Sequence, residues 1–379
     1  MKTRNRTAQG TACRKKQAGL SLIELMISIT IGVILMTGMV ATFNQSGESR
    51  RELEKTGTLI ENGRYAINLI YEDLRHAGFY GYYYDLGDAP AIVPDPCETA
   101  DLAKLKGDIA MPIQGFAAAT LLTRPVISGT TCDDKGLFTN ANLKAGSDIL
   151  VIRRGDTAVV TGNPVDDVIY MQANSRDLNL LVGASSADVP TDSADGVTPN
   201  LLKYPAGKLP PDTTVAETRR YRVHVYFVAP CSYGSAADGV CQNGDDDVPT
   251  LKRLELSAAG GATAMEIVPL VEGVEFMKVR YGIDNSPTTA NPVTGMIGDG
   301  IPDSAHVASA ATLADWANVV TTQVHLLVRA TQETQEHTDI KSYSIAGATA
   351  GPFTDHYRRR AYSSEALSMN MAGRREVPK

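Results

Sequence analysis

Between Leu20 and Phe43 the chain is apolar almost without interruption, and Glu24 is its only charge. About 24 residues at 1.5 Å each give about 36 Å of helix, enough to span a bilayer. Past Phe43 the pattern turns polar and then amphipathic. Ile60, Ile67, Ile70, Tyr71 and Leu74 recur at helical spacing, so one helix is expected from Leu20 to about His76, roughly 85 Å long. Gly32, Gly38, Gly47, Gly57 and Gly63 fall inside it. Each costs about 1 kcal/mol, so bending or local melting is expected there. The apolar face of residues 60–74 should pack on the domain that follows, as core and not as a cofactor groove.

After Gly78 the period changes to short β-like runs broken by Gly, Pro, Asn and Asp. The strand candidates are Asp148–Arg153, Ala158–Val160, Asp167–Met171, Arg219–Val228, Leu251–Leu256, Val274–Tyr281 and Val319–Arg329. In Tyr221–Phe227 and Thr322–Val328 apolar and more polar residues alternate, which predicts a sheet with one face on a core. Trp316, the single tryptophan, reads as a core anchor. Gly162–Thr218 and Asn285–Asp315 are rich in small polar residues and read as long loops. The expected class is α+β: a transmembrane helix half over 20–43, an amphipathic half over 44–77, and a β-rich head over 78–379.

Charge sharpens this division. The net charge is −7, yet Lys2, Arg4, Arg6, Arg14, Lys15 and Lys16 all precede Gly19, with no acid among them. The remainder carries 30 basic against 43 acidic side chains. Such a body repels nucleic acid, and no basic patch in it suggests otherwise. The basic leader should stay cytoplasmic and place the head outside. Cys97, Cys132, Cys231 and Cys241 follow the leader, an even number suited to an oxidising compartment. Of three connectivities, the local pairs Cys97–Cys132 and Cys231–Cys241 are preferred. Four free thiols or a zinc site are the alternatives, and no C-x-x-C supports zinc.

Candidate chemistry is sparse. The six histidines, 76, 224, 306, 325, 337 and 356, form no HExxH, and neither G-x-S-x-G nor a P-loop is present. His224 and His325 sit in strand candidates and read as packing or surface residues. Glu72 and Asp73 are adjacent on a helix and do not face the same way, so Glu72 is expected to pair with Arg75 or His76. Arg358, Arg359 and Arg360 read as a docking cluster or a solvated strand. No catalytic residues are expected, and no enzyme. G-D-G-I-P-D (298–303) looks like part of a calcium loop, with Asp284 upstream in Y-G-I-D. Asp284, Asp299 and Asp303 are the tentative ligands, since calcium takes six to eight oxygens. A solvated turn is the alternative. Asp245, Asp246 and Asp247 read as a charged hairpin tip.

The stretch K-K-Q-A-G-L-S-L-I-E-L (15–25) resembles the class III signal of type IV pilins and type II secretion pseudopilins. The resemblance implies that prepilin peptidase removes residues 1–19 by cutting between Gly19 and Leu20. Leu20 then becomes the N-methylated first residue, where phenylalanine or methionine is more usual. It also implies that Glu24 serves assembly. A carboxylate in hydrocarbon costs several kcal/mol unless paired, and a neighbouring subunit's amine at Leu20 would be its partner.

ENGRYAINLIYEDLRHAGFYGY (61–82), PTLKRLEL (249–256), LVEGVEFMKVRYGID (270–284), DWANVVTTQVHLLVRA (315–330) and YRRRAYSSEALSMNMA (357–372) resemble W-type, PilW-like minor pilins. That resemblance implies a single-pass inner-membrane protein with a periplasmic head that primes pilus assembly and joins the tip complex. Its partners would be other minor pilins, the major pilin, prepilin peptidase and a large tip adhesin. No cofactor is required, calcium being optional. The J-type pseudopilin of type II secretion, and a membrane-tethered periplasmic binding protein that never polymerises, are the alternatives.

Overall fold

The computed structural model describes residues 19, 21–127, 130–161, 164–183, 202, 216–234, 239–287 and 298–376. It divides into one unit ending at Glu54 and another starting at Lys55. The first holds the exposed, apolar part of helix α1 (Leu22–Arg75). The second holds the rest of α1 and a β-rich head, so the class is α+β.

In the first unit the helix runs unbroken through Gly32, Gly38 and Gly47, and the local melting expected there does not occur. Helix propagation adds one hydrogen bond per residue fixed, so isolated glycines weaken the ladder without opening it. Ser28, Thr30, Thr37 and Thr42 each donate to the carbonyl four residues back, at 2.7–2.9 Å. Their hydroxyls are therefore satisfied inside the helix, as an apolar surround requires. It is the one described helix long and apolar enough to cross a membrane.

In the second unit β1 (Ile113–Phe116), β2 (Ile149–Val159), β3 (Ile169–Ala173), β4 (Leu178–Val182), β5 (Thr218–Ala229), β6 (Thr250–Ala259) and β7 (Ala262–Glu272) form a seven-stranded antiparallel sheet. β5 is its hub. One edge pairs with β2 over residues 219–226, while β3 and β6 share the other edge at 218–220 and 224–229, so the sheet forks. A second sheet has the order β12 (Arg359–Leu367), β9 (Val319–Arg329), β8 (Val274–Ile283). The hairpin β10 (Tyr343–Ile345) and β11 (Ala348–Ala350) stands beside it. The described residues of the head also hold four short α-helices, α2 (Leu102–Gly107), α3 (Thr131–Asp134), α4 (Leu313–Ala317) and α5 (Met369–Arg375), and a 3-10 turn at Asp108–Ala110.

Two expectations change here. Asp148–Arg153 and Ala158–Val160 are one strand, β2, because a register shift between Gly155 and Val159 absorbs the polar residues between them. Tyr221–Phe227 is buried on both faces. Tyr226 and Val228 enter a core shared with α1, β8 and β9, whereas Val223, Val225 and Phe227 enter a second core on the opposite face. Trp316 lies in the first core, edge-on to Tyr281 at 4.6 Å between ring centroids. Of the two long loops expected, the first contains β3 and β4, with 184–201 and 203–215 outside the described residues. In the second, 288–297 lie outside them and α4 begins at Leu313.

Disulfides join Cys97 to Cys132 and Cys231 to Cys241, and all four cysteines are buried. The second closes part of the loop between β5 and β6. Asp245, Asp246 and Asp247 lie in that loop, where Asp246 accepts from the backbone N–H groups of Ser232 and Val248.

The buried face of α1 is Leu59, Gly63, Ala66, Ile67, Ile70, Asp73 and Leu74, with Ile60 and Tyr71 at its margins. Gly63 is there for contact and not as a breaker. A Cβ on it would lie 2.1 Å from the Tyr362 ring of β12, whose hydroxyl donates to the Leu59 carbonyl at 3.3 Å. The helix ends at Arg75, and after one further turn Gly78 adopts φ +69° and donates its N–H to the Arg153 carbonyl. Gly63→Val should therefore lower stability by about 1–3 kcal/mol through overpacking. Gly57→Ala, with nothing within 4 Å of its Cβ position, should be neutral or mildly stabilising. Thermal unfolding followed by circular dichroism checks both, and Tyr362→Ala should relieve part of the Gly63→Val loss.

Candidate functional site

Gly19 is exposed, and Leu20 lies outside the described residues. From Leu22 to Phe43 the apolar side chains are exposed along α1. Glu24 is not left without a partner in its own chain. The Ser21 N–H donates to its carboxylate at 3.2 Å, and the Leu25 N–H donates to the Ser21 carbonyl at 3.1 Å. This is one arm of a capping box. The Ser21-Leu22-Ile23-Glu24 spacing is the sequence signal for this bond. A carboxylate has about four lone-pair sites, so this bond leaves Glu24 able to accept an amine as well.

The acidic residues of the second unit are differently engaged. Asp284 is fully buried and accepts from the Ser286 and Gly300 N–H groups, both at 3.0 Å. Arg375 of α5 lies 3.4 Å from the same carboxylate. Asp303 accepts from the Asn285 N–H at 2.6 Å and the Ser286 hydroxyl at 2.8 Å, while Asp299 accepts from the Ile301 N–H. As placed, all three carboxylates accept from donors of their own chain, and Arg375 supplies an opposing charge at Asp284. Among the described residues the group with metal-like spacing is Asp95, Cys97 and Cys132, whose two sulfurs are tied in a disulfide.

The polar centre that sequence reasoning missed is Asp73. Glu72 reaches Arg75 at 3.8 Å, as expected, and its carbonyl meets His76. Asp73 turns inward from the end of α1. It accepts from Arg154 on β2 at 2.6 Å and from Tyr226 on β5 at 2.9 Å, and it meets His224 Nδ1 at 2.6 Å. Burial pushes its carboxyl up, but His224 and Arg154 together outweigh burial and hold it well below the usual carboxylate range. His224 is thus a buried partner of a helix, and neither a surface residue nor simple packing. Arg359, in the middle of the basic cluster, is likewise buried, whereas Arg360 is exposed. The solvated-strand reading fails for Arg359 because three carboxylates from other segments enclose it.

Two families match the chain. The prokaryotic N-terminal methylation motif covers residues 14–40, and Type IV Pilus-assembly protein W covers residues 225–367. Together they are consistent with a PilW-like type IV pilin. Neither a curated protein nor a solved structure matches the chain. The methylation match spans Gly19 and Glu24 and runs into the exposed apolar part of α1. The PilW match begins within β5 and closes at the end of β12, so it takes in the whole second sheet and the Arg359 cluster. The segment between Gly78 and β5, including the Cys97–Cys132 disulfide, lies outside both matches.

Proposed function

We propose that this pilin is matured by prepilin peptidase between Gly19 and Leu20, methylated at Leu20, and held in the inner membrane by α1 with its head in the periplasm. From there it enters a priming complex with other minor pilins and the major pilin, and it remains at the pilus tip, where a large tip adhesin is a further partner. The observation that carries this reading is the methylation motif over residues 14–40 standing in one chain with a PilW match over residues 225–367. Glu24 gives the recognition a physical basis: incorporation brings a second subunit's Leu20 amine to a carboxylate that hydrocarbon would otherwise penalise.

The test is mass spectrometry of sheared fibres. The expected species begins at methyl-Leu20, and a chain with residues 1–19 intact in the fibre would sink the processing claim. Gly19→Ala should leave the leader attached and the protein out of the fibre. A processed and incorporated Gly19→Ala protein would overturn cleavage at Gly19.

A further inference from the structure

A cavity of about 450 Å³ opens in the head between residues 90–98, α2 and the start of α3. Its wall combines an apolar strip, Ile92, Val93 and Pro94, with the carboxylates of Asp95, Glu98 and Asp108 and one ammonium, Lys104. The Cys97–Cys132 disulfide ties two of the bordering segments together, and the volume lies in the range of small-ligand pockets, roughly 300–1,000 Å³.

The carboxylates differ in what they have left to offer. Asp95 accepts from the Cys97 N–H at 2.9 Å and the Thr131 N–H at 2.7 Å, one on each oxygen. One Glu98 oxygen accepts from the Thr99, Ala100 and Asp101 N–H groups, and the other faces Lys104 at 3.4 Å. Asp108 is 7% exposed and borders the cavity; its backbone carbonyl accepts from the Met111 N–H, but its carboxylate accepts no hydrogen bond from the described residues. The hydroxyl oxygens of Thr130 and Thr131, on the same wall, also have no partner among the described residues. Native interiors rarely leave such groups unpaired.

We infer that this cavity binds a primary ammonium ion carried on a compact apolar body, with Asp108 as its counter-ion and the Ile92–Pro94 strip holding the apolar part. A divalent metal fits less well, since it needs six or more oxygens and two of the three carboxylates are already committed. An ammonium needs only three acceptors. The excess of carboxylates over Lys104 selects for positive charge. Burial, together with Asp95 and Glu98 and against Arg153 and Lys104, pushes the Asp108 carboxyl up to about 6. An ammonium ion therefore binds better as pH rises through that value. The proposal does not depend on the pilus reading, because the cavity lies outside both family matches.

Isothermal titration of the full chain in non-ionic detergent tests it, with benzylamine as the probe. Saturable binding is expected at pH 7.5, weakened about tenfold or more at pH 5, in Asp108→Asn, and for benzyl alcohol in place of benzylamine. A capped tripeptide with a central lysine, run in parallel, separates a free amine from a partner's side chain by which of the two binds more tightly. Asp108→Asn also takes a negative charge from beside the buried Arg153, so circular dichroism first establishes that the variant is folded. Should that variant fail to fold, the pH and benzyl alcohol arms on the unaltered chain decide. The inference is overturned by equal binding of benzyl alcohol, by undiminished binding to folded Asp108→Asn, by binding of calcium but neither amine, or by no binding of either amine.

Discussion

Arg359→Met should lower the stability of the head by about 3–5 kcal/mol, the cost of leaving buried charges without their partner. The side chain is 1% exposed and meets three carboxylates. It bonds both oxygens of Glu275 at 2.6 and 3.2 Å, both oxygens of Asp355 at 2.6 Å, and Asp339 at 3.2 Å. Its guanidinium also stacks 3.7 Å from the Phe353 ring centre. Burial, then the Asp339 carboxylate, push the Tyr343 hydroxyl up to about 12, so it stays protonated and donates to Asp339. One cation thus organises β8, β12 and the segments flanking the β10–β11 hairpin. Methionine fills similar volume but abandons Glu275 and Asp339 in a buried site. A drop of about 10 °C in melting temperature is expected. Arg359→Lys should recover little of it, because an ammonium cannot make the paired bonds of a planar fork. A melting temperature within 2 °C of the unaltered chain would refute the account.

Asp73→Ala should be the second large loss, again about 3–5 kcal/mol. It strands Arg154 and His224, whose side chains are 16% and 5% exposed. Its pH dependence has a definite sign. Because the folded carboxyl lies below its unfolded value, the stabilisation is complete above the unfolded pKa, about 3.9, and is lost as pH falls toward the folded value. Acid unfolding should therefore be steep below about pH 4 in the unaltered chain and flatter in Asp73→Asn. Hydrogen exchange locates the damage. Amides of residues 59–74 should exchange faster in Asp73→Ala while those of β9 stay protected. Uniform acceleration over the whole head would mean that Asp73 does not anchor the helix specifically.

What the sequence disclosed follows from which interactions are local. The apolar run, the leader charge and the Gly19–Glu24 spacing are all contained in residues 2–43, and the match over residues 14–40 falls among them. β5, β8 and β9 were legible because each is long and rich in branched or aromatic side chains. β12 was not. It is an edge strand, bonded to β9 alone, and Arg-Arg-Ala-Tyr-Ser-Ser-Glu-Ala-Leu keeps much of its length exposed. β7 hid behind Pro269, a residue that argues against strand, yet the proline sits where the register with β6 shifts, on a strand bonded to β6 alone. The Asp73 centre was out of reach for a different reason. Its partners lie 81, 151 and 153 residues away in sequence, and no local pattern marks an acid that will be buried.

The fork at β5 has a mechanical consequence. A pull along the head part of α1 reaches Asp73 near the helix end, and two of its three bonds lead into β5, at His224 and Tyr226. From there the load divides: β2 takes it along one edge, and β3 and β6 share it along the other. The same strand that closes both cores is therefore the element that spreads tension from the helix across the sheet.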